Sequence, residues 1–342
     1  MEQQMQQHVY QLLREACMQQ VSDIHFIPTE TAYDIAFRQQ GILQRRHIYE
    51  HTRTERIVTY LKYLANLDIA ERRKPQSGAF FLTIDQQPYH FRLSTLPSVR
   101  NKESIVIRIH LQYATLPLSE LAYFPTTTEH FEQLLSKSQG IIFITGATNS
   151  GKTTTLYAFI HHIATELHKH VISLEDPVES IQSHVLQIQV NERAGVSYAS
   201  GLRAILRHTP DVIMVGEIRD EATAKLAITA ALTGHLVLAT IHAKDTVGCI
   251  HRLIDLGVPL EDLHQTLLAV IAQSLVMLQE EGSICQRAIF ELLIQEELQA
   301  ALHCISEKNT YELPMQKRLE YQREAVKLLE MAATQTTTLK KA

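Results

Sequence analysis

At 342 residues the chain has room for two ordinary domains, and its 45% apolar and 20% charged composition excludes a disordered or fibrous class. A formal net charge of −5 argues against a dedicated nucleic-acid surface, so no direct nucleic-acid binding is expected. The opening MEQQMQQHVY has no basic stretch followed by an apolar one, so no secretory signal is read and the expected location is the cytoplasm.

In chain order, the periodicity predicts a helix over Gln4 to Gln19 and strands over Asp23 to Phe26, Ala32 to Arg38, Ala79 to Ile84, His90 to Ser94 and Ser104 to Leu111. This pattern suggests a compact α+β domain over 1–111, and Pro117 and Pro125 punctuate a linker over 112–125. Beyond it the pattern becomes strand, turn and helix in alternation, the mark of an α/β fold with a parallel sheet and crossover helices. Ile141 to Thr145, Val171 to Leu174, Val212 to Val215 and Leu236 to Thr240 read as strands; Lys152 to His168, Tyr198 to His208 and Glu221 to Leu232 read as helices. This core is expected over 126–256. From 257 to 342 a helical extension is expected, with apolar residues at helical spacing from Leu260 to Leu278 and a frayed tail from Thr334. The run Leu267 to Leu278 is well short of the ~20 residues that span a bilayer and reads as a buried helix. Cys17, Cys249, Cys285 and Cys304 form no CxxC pair, which fits free thiols in a reducing compartment.

The most specific motif is GATNSGKT: Gly146, Ala147, Thr148, Asn149, Ser150, Gly151, Lys152 and Thr153, followed by Thr154. Its glycines let consecutive backbone N–H groups turn inward on phosphates, Lys152 brings a positive charge to the β and γ phosphates, and Thr153 offers a hydroxyl to Mg²⁺. The helix that follows adds its N-terminal dipole. An apolar strand before the motif and a good helix after it are the context a phosphate loop requires, so ATP and Mg²⁺ are the expected ligands.

Glu217 ends the strand-like VIMVGE, where a parallel sheet presents functional side chains, and is the candidate to orient the attacking water. Gly216 stands where such strands usually carry a magnesium-associated aspartate, so metal contact is expected through water and Thr153. Glu175, Asp176 and Glu179 in LEDPVE form a second acidic group past a strand end, with Glu175 a further candidate for magnesium or water. His235 and His242 flank the next strand, where a histidine can sense the γ-phosphate as a donor; taken singly, either reads as a structural or surface histidine.

This ordered set resembles the secretion and pilus-assembly ATPase superfamily, over roughly Val21 to Leu256. SDIHFIP (Ser22 to Pro28) and RLSTLP (Arg92 to Pro97) resemble N-terminal signatures of that family, LEDPVE its Asp box, LRAILRHTPDVIMVGEIRD (Leu202 to Asp220) its atypical Walker B region, and TGHLVLATIHAKD (Thr233 to Asp245) its His box. The resemblance implies a RecA-like ATPase domain preceded by a smaller, PAS-like one. It implies that Arg92 and Arg108 approach the phosphates, that Arg203, Arg207 and Arg219 lie near the site or a subunit interface, and that the Asp and His boxes complete the site. It also implies a homohexamer acting on a polytopic inner-membrane platform protein from the inner face of the membrane.

Larger secretion ATPases carry a further N-terminal domain and a zinc module with two CxxC pairs, and this sequence shows neither, so no zinc site is expected. An AIRAGE-like segment typical of retraction ATPases is missing too. These features resemble the Gram-positive competence branch, whose expected role is powering a pseudopilus for DNA uptake. A type II secretion or pilus assembly or retraction ATPase is the alternative, and an ATP-binding scaffold without turnover is the alternative of another class. The stretch AQSLVMLQEEG replaces the family's basic AQRLVR, a departure that bears on partner contacts rather than on hydrolysis.

Overall fold

The computed structural model describes residues 2–39, 41–98, 102–111, 115–280, 283–320, 322–323 and 325–326. It divides into two units, Met1–Ala114 and Thr115–Ala342.

The first unit runs α1 (Glu2–Met18), β1 (Asp23–Pro28), β2 (Ala32–Gln39), β3 (Ile42–Glu50), α2 (His51–Leu64), β4 (Gln76–Ile84), β5 (Gln87–Pro97) and β6 (Glu103–Leu111). The six strands form one antiparallel sheet in the order β3-β2-β1-β6-β5-β4. Alternation decides its faces: Ile24, Phe26, Ile35, Phe37, Phe91, Leu93, Ile105 and Ile107 are buried in one cluster with Leu12, Leu13, Ile57 and Leu61 of the two helices. Arg92 and Arg108, out of phase with that set, are exposed and stand opposite one another on β5 and β6. The sequence pattern foretold this α+β character but not β3 or α2, because the exposed strand ILQRRHIYE has no clean alternation of buried residues.

The second unit runs α3 (Leu118–Leu121), α4 (Pro125–Leu135), β7 (Gly140–Thr145), α5 (Lys152–Thr165), β8 (Val171–Glu175), β9 (Leu186–Gln189), α6 (Tyr198–Ile205), β10 (Val212–Val215), α7 (Glu221–Leu232), β11 (Leu236–Thr240), α8 (Thr246–Asp255), α9 (Leu260–Thr266), β12 (Leu267–Glu280), β13 (Ser283–Ile294) and α10 (Gln295–Ser306). Its seven-stranded sheet has the order β13-β12-β7-β11-β10-β8-β9, parallel throughout except where β13 returns antiparallel to β12. Every residue of β7, β8, β10 and β11 is buried, because apolar clusters lie on both faces of the sheet. This architecture brings the ends of β7, β8, β10 and β11 to one edge.

The expected helical extension is corrected here. Helix α9 stops at Thr266, and the run Leu267 to Leu278, expected as a buried helix, lies in the strand Leu267–Glu280, which pairs with β7 from Leu267↔Ile141 to Ala272↔Thr145. A continuous apolar run carries no period that separates a buried strand from a buried helix, and here the edge of β7 supplies the hydrogen bonds that favour the strand. The sheet therefore continues past Leu256, and helix returns only with α10. The tail from Thr334 lies outside the described residues. Among those described, no helix is long and apolar enough to cross a membrane.

Phe131 of α4 is fully buried and meets Phe159 of α5 and Phe290 of β13 edge-on, with ring centroids 4.9 and 5.0 Å apart. It therefore joins the helix of the phosphate loop to the added hairpin. Phe131→Ala should lower the stability of this unit by about 3–5 kcal/mol, seen as a fall in the urea midpoint by circular dichroism; an unmoved midpoint would contradict the packing described.

Candidate active site

The chain leaves β7 at Thr145 and turns through Gly146 (φ +142°), Asn149 (φ +63°) and Gly151 (φ +88°) before α5 starts at Lys152. A Cβ on Gly146 would stand 2.5 Å from the carbonyl oxygen of Gln273, and one on Gly151 would stand 2.8 Å from Gln273 Nε2. Dihedral and space together thus restrict both positions to glycine. Ser150 Oγ is buried inside the turn with no hydrogen-bond partner, an orphaned polar atom of the kind a bound anion can satisfy. Lys152 Nζ donates to the carbonyls of Gly146 (2.9 Å) and Ala147 (2.8 Å) and forms no carboxylate ion pair within the described residues. Burial lowers the Lys152 pKa, and the charge of Glu217 opposes that fall. Thr153 is half-buried in the first turn of α5, while Ala147, Thr148, Asn149 and Thr154 are exposed. A loop built of glycine backbone, a cation held only by carbonyls and a helix N-terminus fits a polyphosphate.

Glu217 lies just past β10 and His242 just past β11, so parallel strands deliver them to the same edge. Glu217 Oε2 is 2.6 Å from an Arg219 guanidinium nitrogen, and Oε1 is 3.2 Å from His242 Nε2. Two hydroxyls brace these strand ends: Thr240 Oγ1 donates to the carbonyl of Gly216 (2.5 Å), and Thr145 Oγ1 donates to the carbonyl of Ala243 (2.9 Å). A Cβ on Gly216 would lie 3.2 Å from both the Leu174 carbonyl and the Tyr198 hydroxyl, so a side chain there would need its neighbours to give by a few tenths of an ångström.

Glu175 ends β8 and is only 3% exposed. Its Oε1 accepts from Ser173 Oγ (2.5 Å) and Gln187 Nε2 (3.0 Å), and its Oε2 accepts from the Tyr157 hydroxyl (2.5 Å). The Tyr157 hydroxyl in turn accepts from the backbone N–H groups of Glu179 (3.0 Å) and Ser180 (3.1 Å). Burial pushes the Glu175 carboxyl above its ordinary pKa although all three donors oppose it. The expectation of Glu175 as a magnesium ligand is corrected: both oxygens are engaged by protein donors and the group is enclosed. It anchors α5 to the loop after β8, where Asp176 and Glu179 are exposed.

The structure thus brings together the loop 146–153, Glu175, Glu217, Arg219 and His242. It does not bring His235 to them, because His235 precedes β11 and so lies at the opposite edge, roughly 20 Å of strand away, with Nδ1 3.0 Å from the Ala230 carbonyl. Arg203 and Arg207 are exposed on and just after α6, and no hydrogen bond or ion pair among the described residues joins them to the site. Arg92 and Arg108 belong to the first unit, where Arg108 Nε is 2.8 Å from Asp23. Sequence reasoning missed Tyr157, Ser173, Gln187, Thr240 and Gln273. Tyr157 carried a readable signal, since it lies on the helix that opens with Lys152; Gln273 carried none, since its segment reads as helix.

Residues 2–341 match the family model described as type II/IV secretion system protein. The chain belongs to that family. Among its relatives is the competence protein ComGA of Bacillus subtilis (strain 168), 40% identical over an alignment of 310 residues, with 86% of each chain covered. The competence protein ComGA of Halalkalibacterium halodurans is 44% identical over 266 residues, 78% of this chain and 76% of that protein. The crystal structure of the pilus retraction motor PilT with bound ADP superposes with a TM-score of 0.70 at 26% identity, covering 91% of this chain and 96% of that one. Membership of the type II/IV secretion family accords with the α/β architecture and with a nucleotide site at the loop 146–153.

The raised Glu175 pKa has a sign that can be measured. A carboxyl held above its unfolded value of 4.5 contributes stability fully below that value and loses it as pH rises through the folded value. Glu175→Gln removes that titration, so the stability of the variant relative to the parent should rise from pH 4.5 upward and then level. Thermal melts in a pH series test this; a relative stability that falls over the same range would refute the raised pKa.

Proposed function

We propose that the chain hydrolyses ATP to power assembly of a competence pseudopilus, a type IV pilus-like machine, for DNA uptake in transformation. The observation that carries this reading is 40% identity to a competence protein along 86% of both chains, which matches length as well as motif. By family the chain is an ATPase.

The triphosphate lies along the loop 146–153, and Lys152 exchanges its two carbonyl contacts for β- and γ-phosphate oxygens. Thr153 would hold Mg²⁺ through its hydroxyl, the sparse protein coordination usual for this ion, and the ion would neutralise charge on the phosphates. Glu217 orients the attacking water, with Arg219 and His242 fixing its carboxylate. His242, 3.2 Å from Glu217 at the same edge, is the candidate donor to the γ-phosphate. Glu175 positions rather than touches the substrate. Asp176 and Glu179 remain candidates for water-mediated contact, and Arg92, Arg108, Arg203 and Arg207 for cations that reach the phosphates in a homohexamer. The motor acts at the inner face of the membrane on a polytopic platform protein.

Lys152→Ala should abolish nucleotide binding and turnover together. Glu217→Gln should keep ATP binding while turnover falls by a factor of about 100 or more. Fluorescent-nucleotide titration and phosphate release measure the two, and unchanged turnover in both variants would sink the site assignment. Cells carrying only Glu217→Gln should fail to transform yet secrete normally; the reverse outcome would assign the motor to secretion.

A further inference from the structure

We infer that Gln273 is a positioning residue of the ATPase site, setting the span of the phosphate loop from outside the motif. This rests on the ATPase reading and goes beyond it, since Gln273 lies 118 residues from Thr155, the residue it bonds.

The pairing of β12 with β7 ends at Ala272↔Thr145, where β7 stops and the loop begins. β12 continues, and its next residue, Gln273, is 3% exposed. Three of its groups meet the loop at three points. Its main-chain oxygen packs against Gly146, closer than any side chain there would allow. Its Nε2 packs against Gly151 in the same way, and its Oε1 accepts a hydrogen bond from Thr155 Oγ1 at 2.8 Å. The Thr155 N–H itself bonds the Gly151 carbonyl at 3.0 Å, so one side chain bridges the first turn of α5 to the glycine that starts it. Both glycines that bound the loop therefore rest on a single residue of another strand.

A carboxamide suits this place because it offers a donor and an acceptor in one plane without charge. A carboxylate would repel the phosphates, and an apolar chain of the same length would leave the Thr155 hydroxyl buried without its partner. Strand alternation sends the next side chain, Ser274, to the other face, where its hydroxyl meets the Arg323 guanidinium. The residue that seats the loop is thus adjacent to one that holds the segment after β13.

With the loop's ends held, the N–H groups between them are arranged for phosphates before ATP arrives. Releasing the ends makes ATP binding supply that order, which removes affinity shared by ground and transition states and raises KM more than it lowers kcat. Thr155→Val and Gln273→Met should each raise KM for ATP about tenfold, the worth of one buried hydrogen bond, with kcat within about twofold. The double variant should be no worse than the poorer single one, and Thr155→Ser should restore parental values. Additive losses, or a Thr155→Val enzyme with parental KM, would overturn the inference. If Gln273→Met does not fold, as judged by thermal melting, the Thr155→Val and Thr155→Ser pair decides alone. Lys152→Ala measured alongside keeps the two readings apart: turnover surviving in it sinks the assignment of the ATPase site to the loop 146–153, whereas its loss beside an unaffected Thr155→Val sinks only the role of Gln273.

Discussion

A phosphate is held by backbone N–H groups only where the chain can turn them all inward, and such a turn demands dihedrals and clearances that side chains forbid. Gly146 and Gly151 meet that demand at the two ends of the loop, and the closeness of Gln273 shows that space as well as dihedral is committed. The loop could not hold this shape alone. It stands on β7, in the middle of a sheet with β11 on one side and β12 on the other, and every residue of β7 is buried. The apolar clusters on both faces fix where the strand ends, and the strand ends fix where the loop, Glu217 and His242 meet.

Two glutamates at that edge differ by their surroundings rather than by their chemistry. Glu217 is flanked by a guanidinium and an imidazole, which hold its two oxygens apart and aim them. Glu175 is enclosed by two hydroxyls and an amide, and burial outweighs them in its titration. The first environment suits a group that handles water beside phosphate. The second suits a group that holds a helix and a loop together, which is what the Tyr157 bonds do.

What could be read without coordinates follows the same division. The strand, glycine loop and helix were legible because an apolar run, two glycines and Lys152 occur in an order that few structures other than a phosphate loop require. Glu217 and His242 were legible because residues after parallel strands gather at one edge. His235 was misread for the complementary reason: it precedes its strand, and direction places it at the far edge. β12 was illegible, since buried residues on both faces erase the period that tells strand from helix. With β12 went Gln273, and with the misjudged enclosure of Glu175 went its true partners, because burial and long-range pairing are set by tertiary structure and leave no local trace.

Consider β12 as a single strand with two unlike halves. From Ala269 to Ser274 every side chain is buried, and the run ends against the loop; by Met277 the strand has come out to solvent. Substitutions in the first half would disturb the sheet and the loop together, whereas one at Met277 meets solvent rather than the core. A change at Met277 can therefore alter the exposed part of the hairpin without touching Gln273, which seats the loop.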